Sequence, residues 1–388
     1  MLFAGMGSST APDFTRRVGL GSGFSGSPAI AIDTAGSYIF ASRVNNTTNK
    51  LSVFKYNKYG TAVFTQEANR DGTVQSVRTD SSNNIYVAGT YASISRGYIA
   101  KFNSAGALQW DFYEGNITSS RMYVLGIDSS GNVYLTTGGS SSMRVYKLNS
   151  SGTVQWSTDL SGTNGVPLGI TDSSGNSYVY NSAGVLVKLD SSGAEVWQRD
   201  FAAATPVLDM KSIDLDSSNA LVIGALDTTN SRCYVIKMTT GGTVSSGYYT
   251  SGTVARAMVD IPGNVYVITY QSTKHTLFKV NTSNAVEWAT EVNASVLFHV
   301  GAQWQDSFGH VTTVSSDVYV VNSEIGAAPA AGTYGSLVYT ALANPTYTSS
   351  APTIPAGSQT VTTGASSSIA SAGHTYSSVS TTETYYGM

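Results

Sequence analysis

The chain alternates between short apolar runs and short polar breaks along almost its whole length. The runs are three to eight residues long and rich in Val, Ile, Tyr and Phe. The breaks are built from Ser, Gly and Asn. That rhythm predicts β-strands joined by tight turns, and no segment of helical period and useful length interrupts it. Around residues 74–113 the strands are expected at 74–79, 84–90, 97–103 and 107–113.

The pattern repeats. Segments 80–110, 128–156, 172–197 and 260–288 begin DSSNNIYVAG, DSSGNVYLTT, DSSGNSYVYN and DIPGNVYVIT and end in QW, QW, VW and EW. Looser copies start at Asp33 and Asp216. The leading aspartates Asp33, Asp80, Asp128, Asp172, Asp216 and Asp260 are spaced by 47, 48, 44, 44 and 44 residues. A seventh, divergent unit aligns SSDVYVVN at 315–322 with the second strand of the others and puts Thr313 in place of the aspartate.

A four-stranded antiparallel unit cannot bury both of its faces alone. Radial stacking buries them and leaves only short, protected edges. Four strands in about 44 residues is blade spacing. The expected fold is all-β, a seven-bladed β-propeller of four-stranded antiparallel blades, with six or eight blades also compatible with the faint seventh unit. Residues 13–19, DFTRRVG, look like a detached outer strand and are expected to complete the last blade. GSLVYTAL at 335–342 is expected as one more strand of that last unit. The domain division is then 1–344 for the propeller and 345–388 for a Ser/Thr-rich tail. From Ile325 to Thr382, 58 residues carry no Asp, Glu, Lys or Arg, so the tail reads as a polar extension ordered only against something else.

Composition narrows the function. Ser and Thr number 56 and 44, while charged residues reach only 12% and the net charge is −3. No basic stripe exists for phosphate neutralisation, so nucleic acid is not an expected partner. No apolar run approaches a membrane span, and the N-terminus lacks the pattern of a secretory signal. One cysteine, Cys233, rules out an internal disulfide and reads as a small buried hydrophobe.

The repeated polar residues have structural readings. The aspartates suit tight turns, with the side chain accepting following backbone amides. A calcium loop would want several converging carboxylates, and each turn here offers one. Trp110, Trp156, Trp197 and Trp288 occupy equivalent outer-strand positions and are expected to pack between blades. Lys55, Lys101, Lys147, Lys188, Lys237 and Lys279 recur near the end of the third strand, where the stem should cover the sheet and the amine reach water. His275, His299, His310 and His374 share no ligand spacing. The stretch GSGFSGSPA at 21–29 narrowly misses a nucleophile elbow, and no phosphate or dinucleotide loop is present. No catalytic, cofactor-binding or metal-binding residue is assigned, and no cofactor is expected. The expected inner strands supply only Arg78, Asp214 and hydroxyls, and Asp214, beside the axis, would be the first residue to test for an enzyme.

The motif D-S-S-G-N-x-Y-V at 128–135 and 172–179, with V-x-K-L-[ND]-S-S-G-x-x-x-W at 145–156 and 186–197, resembles the bacterial SBBP β-propeller repeat. It is also similar to the blades of quinoprotein-like propellers. The quinoprotein likeness would imply metal-binding acids and a stacking tryptophan, and no motif here takes them over. The low charge, the hydroxyl and glycine excess and the Tyr-bearing tail resemble phage virion proteins of tails and fibres. Together these imply a non-enzymatic structural or interaction protein of a phage particle, most simply tail-associated and located in the virion. Its partners would be other virion proteins in several copies and a host surface glycan. Tyr91, Tyr248, Tyr249 and Trp304 are the expected partner contacts. The alternatives are an extracellular carbohydrate-binding propeller and a propeller enzyme with an axial active site.

Overall fold

The structure is a computed structural model. It describes residues 14–19, 29–43, 50–57, 59, 61–115, 117, 120–139, 142–161, 168–260, 263–271, 274–292, 296–304, 307–314, 317–324, 332–334, 337–342, 348–349, 353–356, 361–364, 369–371, 376–378 and 382–387. For 14–19, and for residues after 292 other than 353–356, the account is of backbone pairing.

Seven antiparallel blades form a β-propeller. Blade 1 contains Ala29–Ile32, Tyr38–Arg43, Lys50–Tyr56 and the first part of the long strand Ala62–Thr79, whose remainder is the inner strand of blade 2. Blade 2 continues through Ile85–Tyr91, Arg96–Phe102 and Leu108–Glu114. Blade 3 is Arg121–Ile127, Val133–Gly138, Ser142–Leu148 and Val154–Ser161. Blade 4 is Leu168–Thr171, Ser177–Tyr180, Val185–Leu189 and Glu195–Asp200. Blade 5 is Leu208–Leu215, Leu221–Asp227, Arg232–Met238 and Val244–Ser251. Blade 6 is Thr253–Val259, Val265–Gln271, Lys274–Val280 and Val286–Val292.

Blade 7 takes its first three strands, Val296–Trp304, Ser307–Val314 and Asp317–Glu324, from late in the chain and its fourth, Phe14–Gly19, from the beginning. The expected N-terminal closure is therefore present. The phase within this unit differs from expectation. The DVYVVN stretch lies in the third strand, and the second strand is SFGHVTTV, so the aspartate in step with the series is Asp306, 46 residues after Asp260, and position 313 does not take its place.

Burial explains the sequence rhythm. The second strand of blade 2, IYVAGTY, is buried at six of its seven positions because a neighbouring blade covers each face. Its outer strand, LQWDFYE, has only two buried positions. The apolar clusters lie between blades rather than within them. One joins Val53 and Ala41 of blade 1 to Val77 and Val87 of blade 2, and another joins Val222 and Cys233 of blade 5 to Val267 and Phe278 of blade 6.

The tail follows a course that sequence reading did not foresee. Leu337–Leu342 pairs with the outer strand of blade 6, so GSLVYTAL is not part of blade 7. Thr348–Ser349 pairs with the outer strand of blade 5. Thr353 bridges Thr205, and the Pro355 carbonyl accepts the amide of Asp200 at the end of blade 4. Val361–Gly364 then pairs with blade 3, Ile369–Ser371 with blade 2 and Tyr376–Ser378 with blade 1. Thr382–Gly387 finally pairs with Phe14–Gly19 of blade 7. The tail thus makes one complete circuit, visiting blades 6, 5, 4, 3, 2, 1 and 7. What it is ordered against is its own ring.

This course explains the charge-free composition. Exposed edge strands commonly carry charges that discourage pairing. A segment that must pair with one edge after another is freer to do so without them, and among its described strands only the last, Thr382–Gly387, carries a charge, Glu383. Its own strands, two to six residues long, leave only short new edges.

Candidate functional site

Two parts of the molecule concentrate polar chemistry: the hairpin turns with the seams they control, and the axial channel.

In the first hairpin of each of blades 1 to 6 the leading aspartate organises the turn. Oδ1 of Asp128 accepts the amides of Ser130 and Asn132, both at 2.9 Å. Its Oδ2 accepts the Asn132 side chain at 2.7 Å and the Tyr134 hydroxyl at 3.3 Å. Asp80, Asp172 and Asp260 hold the equivalent Asn and Tyr groups. Asp216 instead accepts the Ser218 hydroxyl, and Asp33 pairs with Lys55 at 2.9 Å. Burial alone would raise the Asp128 carboxyl, but the bonds from Asn132 and Ser130 and the charge of Lys147 outweigh it and hold it below its ordinary value. Among the described residues no group of three or more His, Cys, Asp or Glu could hold a metal ion.

The tyrosine of D-S-S-G-N-x-Y was visible in the motif but not singled out. It connects the aspartate to the seam. Tyr86, Tyr134, Tyr178 and Tyr266 are fully buried, and each packs against its blade's tryptophan: Trp110, Trp156, Trp197 and Trp288, with centroids 5.9–6.2 Å apart. The lysine lies over the same ring, as Lys101, Lys147 and Lys188 do over Tyr86, Tyr134 and Tyr178 at 5.2 Å.

Three of these tryptophans also bond outward to the next blade. Trp110 donates to the Ser150 carbonyl, Trp156 to Ser191 and Trp197 to Thr240, at 3.0–3.1 Å. Lys101 and Lys188 donate to the same carbonyls as Trp110 and Trp197, and Lys55 donates to Ser104. The expectation that the lysine amines stand in water is corrected here. Lys55, Lys101 and Lys279 are buried: the adjacent blade supplies an acceptor to Lys55 and Lys101, the Tyr86 face replaces part of the hydration of Lys101, and Lys279 pairs with Glu287 of its own blade.

The expected partner contacts are corrected as well. Tyr91 ends a strand and is 4% exposed, and Tyr248 is 3% exposed. Tyr249 is half-buried between Tyr234 and Arg232. These aromatics belong to strands packed by neighbouring elements, not to open loops. Trp304 ends the inner strand of blade 7, and its side chain falls outside the described residues, as do those of His299, His310 and His374. His275 is buried. Cys233 is fully buried, and burial pushes its thiol up. Among the described residues the most exposed aromatic is Tyr59, 55% exposed in a blade 1 turn near Val63 at 51%.

The inner strands enclose a cavity of about 1140 Å³ along the axis. Its wall is tied between blades: Ser76 Oγ accepts the Val124 amide, and Ser212 Oγ accepts the Ala257 amide. Arg78, Arg121, Lys211, Arg256, Asp209 and Asp214 line it. Asp214 accepts the amides of Val259 and Leu215 at 3.0 and 2.9 Å. Burial raises its carboxyl above the ordinary value despite these bonds and the charge of Arg78. Burial lowers both the Arg78 and Arg256 guanidinium groups; Asp214 offsets part of this at Arg78, while at Arg256 the charge of Arg78 adds to the lowering and Tyr123 opposes it. Sequence reading found Arg78 and Asp214 but missed Arg121, Tyr123 and Arg256, which sit at other depths of their strands.

Comparison with solved structures agrees on the fold. The β-propeller domain of Myceliophteria thermophila Cps50 (Swd1) matches with a TM-score of 0.55 at 8% identity, over 79% of this chain and 99% of that one. The CNH domain of AfRom2 matches with a TM-score of 0.51 at 8% identity, over 81% and 97%. At such identity the likeness concerns architecture alone. No family model matches the chain, and no curated protein matches it. The class this defines is an all-β, seven-bladed β-propeller, here with a circumferential tail.

Proposed function

We propose that the protein is a non-enzymatic structural and interaction component of a phage particle, tail-associated and present in several copies, whose outer surface meets other virion proteins or a host glycan. The observation that carries this reading is the circuit of the tail around the ring. It adds a strand or a backbone contact at every blade and so restrains the whole body, a provision suited to a durable building block. The recurring residues of the repeats serve the seams, as the Lys–Trp–carbonyl contacts illustrate. The low charge and hydroxyl-rich composition of the chain support a particle setting. The exposed pair Tyr59 and Val63 replaces the buried Tyr91 and Tyr248 as the surface to examine for contact.

The test is to raise antibody against the recombinant chain and probe particles purified by density gradient, with mass spectrometry for copy number and immunogold labelling for position. Recovery with the particles, in several copies at the tail, is expected. A chain found only in the soluble fraction overturns the reading. Saturable binding of the isolated chain on a glycan array, without recovery in particles, would favour the carbohydrate-binding alternative.

A further inference from the structure

We infer that the axial channel binds a small, doubly charged oxyanion, of the phosphate or dicarboxylate kind, on Arg78 and Arg256. This goes beyond the particle reading and does not depend on it.

The charge balance of the channel motivates the inference. The inner strands carry four cations, Arg78, Arg121, Lys211 and Arg256, and two anions, Asp209 and Asp214. The inner strand of blade 7, VLFHVGAQW, contributes no carboxylate, and the inner strands of blades 1 and 4, AIAI and LGIT, contribute no charge. Asp209 is paired with Lys211. The mouth aspartates Asp216 and Asp260 already accept bonds in their own turns. The lining as a whole carries four cations and four carboxylates, but Asp209 is paired and Asp216 and Asp260 are engaged at the ends of their strands, so Asp214 is the one carboxylate among the described residues left to face Arg78, Arg121 and Arg256.

The geometry shows which cations are available. Arg121 hydrogen-bonds Tyr123, whose hydroxyl donates to Gln75 Oε1 at 2.9 Å. Arg78 donates one bond, to the Val77 carbonyl at 3.1 Å, and shares the field of Asp214. Arg256 feels Arg78 as a like charge and has no ion pair among the described residues. Holding like charges together in a half-buried wall is unfavourable unless an anion compensates them. Guanidinium forks suit carboxylate and phosphate oxygens bidentately. The cavity, at about 1140 Å³, has room for such a molecule and its water.

The full-length chain is titrated calorimetrically with inorganic phosphate, and separately with succinate, at constant ionic strength. Saturable binding of one anion per chain is expected. Arg256→Gln should weaken it by about tenfold or more. Asp214→Asn, which removes the competing carboxylate, should tighten it by about threefold or more. Circular dichroism and melting curves verify that each variant folds. Should Arg256→Gln not fold, Asp214→Asn and the native chain still decide the matter. No saturable binding of either anion, an Arg256→Gln affinity equal to that of the native chain, or weaker binding by Asp214→Asn would each overturn the inference.

Discussion

Lys101 and Trp110 stand directly opposite each other in the third and outer strands of blade 2 and donate to one acceptor, the Ser150 carbonyl of blade 3, each at 3.1 Å. Lys188 and Trp197 repeat the relationship on Thr240. One cross-strand pair therefore serves as an inter-blade latch, and its two donors back each other up.

That redundancy predicts non-additive energetics. Lys101→Met and Trp110→Phe should each cost about 1 kcal/mol, since the carbonyl keeps one donor. The double variant should lose about 0.5–1 kcal/mol more than the sum. Urea unfolding of the four chains measures the cycle, and strict additivity would show that the shared carbonyl is not the point of coupling.

The second-hairpin glycines provide a matched pair. Gly152 has φ +84°, and a Cβ there would fall 2.2 Å from the Phe112 ring of the preceding blade. Gly241 has no positive φ, and its nearest neighbour, a threonine hydroxyl, would be 3.7 Å away. Gly152→Ala should cost about 2–4 kcal/mol through strain and overpacking. Gly241→Ala should stay within about 0.5 kcal/mol of the native chain. Thermal melts of equal quality on both variants would expose a reversed order.

The circuit of the tail predicts the effect of truncation. A chain ended after Asn344 loses the strands on blades 5, 3, 2, 1 and 7 and uncovers the outer edges beneath them. Its melting temperature should fall by about 10 °C. It should also associate with increasing concentration, as open edges pair between molecules. Sedimentation and calorimetry read both effects, and a truncated monomer that melts like the full chain would contradict the role given to the tail.

The two best-characterised aspartates should respond to pH in opposite senses. Asp128 is held below its ordinary value, so its contribution is present above the unfolded carboxylate range and disappears as pH falls through the lowered folded value. Asp214 is raised, so its ionisation in the folded state costs stability, and the favourable state is lost as pH rises through the folded value. At neutral pH, Asp128→Asn should lower stability and Asp214→Asn should raise it. Both differences should shrink toward pH 3, as denaturant midpoints on the three proteins can establish.

Much of the architecture could be read from the chain because a local signal repeats. An aspartate, a positive-φ glycine and an asparagine return in almost constant register, so the strands between them fall into place. Blade 7 keeps an aspartate in step, Asp306, but without the D-S-S-G-N-x-Y-V wording, so alignment on the motif puts Thr313 in its place and sets DVYVVN one strand too early. The tail was opaque for a different reason: Tyr376–Ser378 pairs with Gln66–Ala68, some three hundred residues away, and no local pattern names an edge as a partner. Lysine burial was missed because Lys101 finds its acceptor on the next blade, 49 positions further on. The channel cations were only partly seen, because Arg121 and Arg256 do not share a repeat position with Arg78.

Phe14–Gly19 lies between Asp317–Glu324 on one side and Thr382–Gly387 on the other. During synthesis this strand emerges early and must stay unmated until both of its neighbours have been translated. At ribosomal speeds of about 5–20 residues per second, the more than 360 intervening residues impose a wait of roughly 20–70 s. Throughout that interval a nascent chain displays a lone β-segment that a chaperone, or a sister chain on the same message, can reach first.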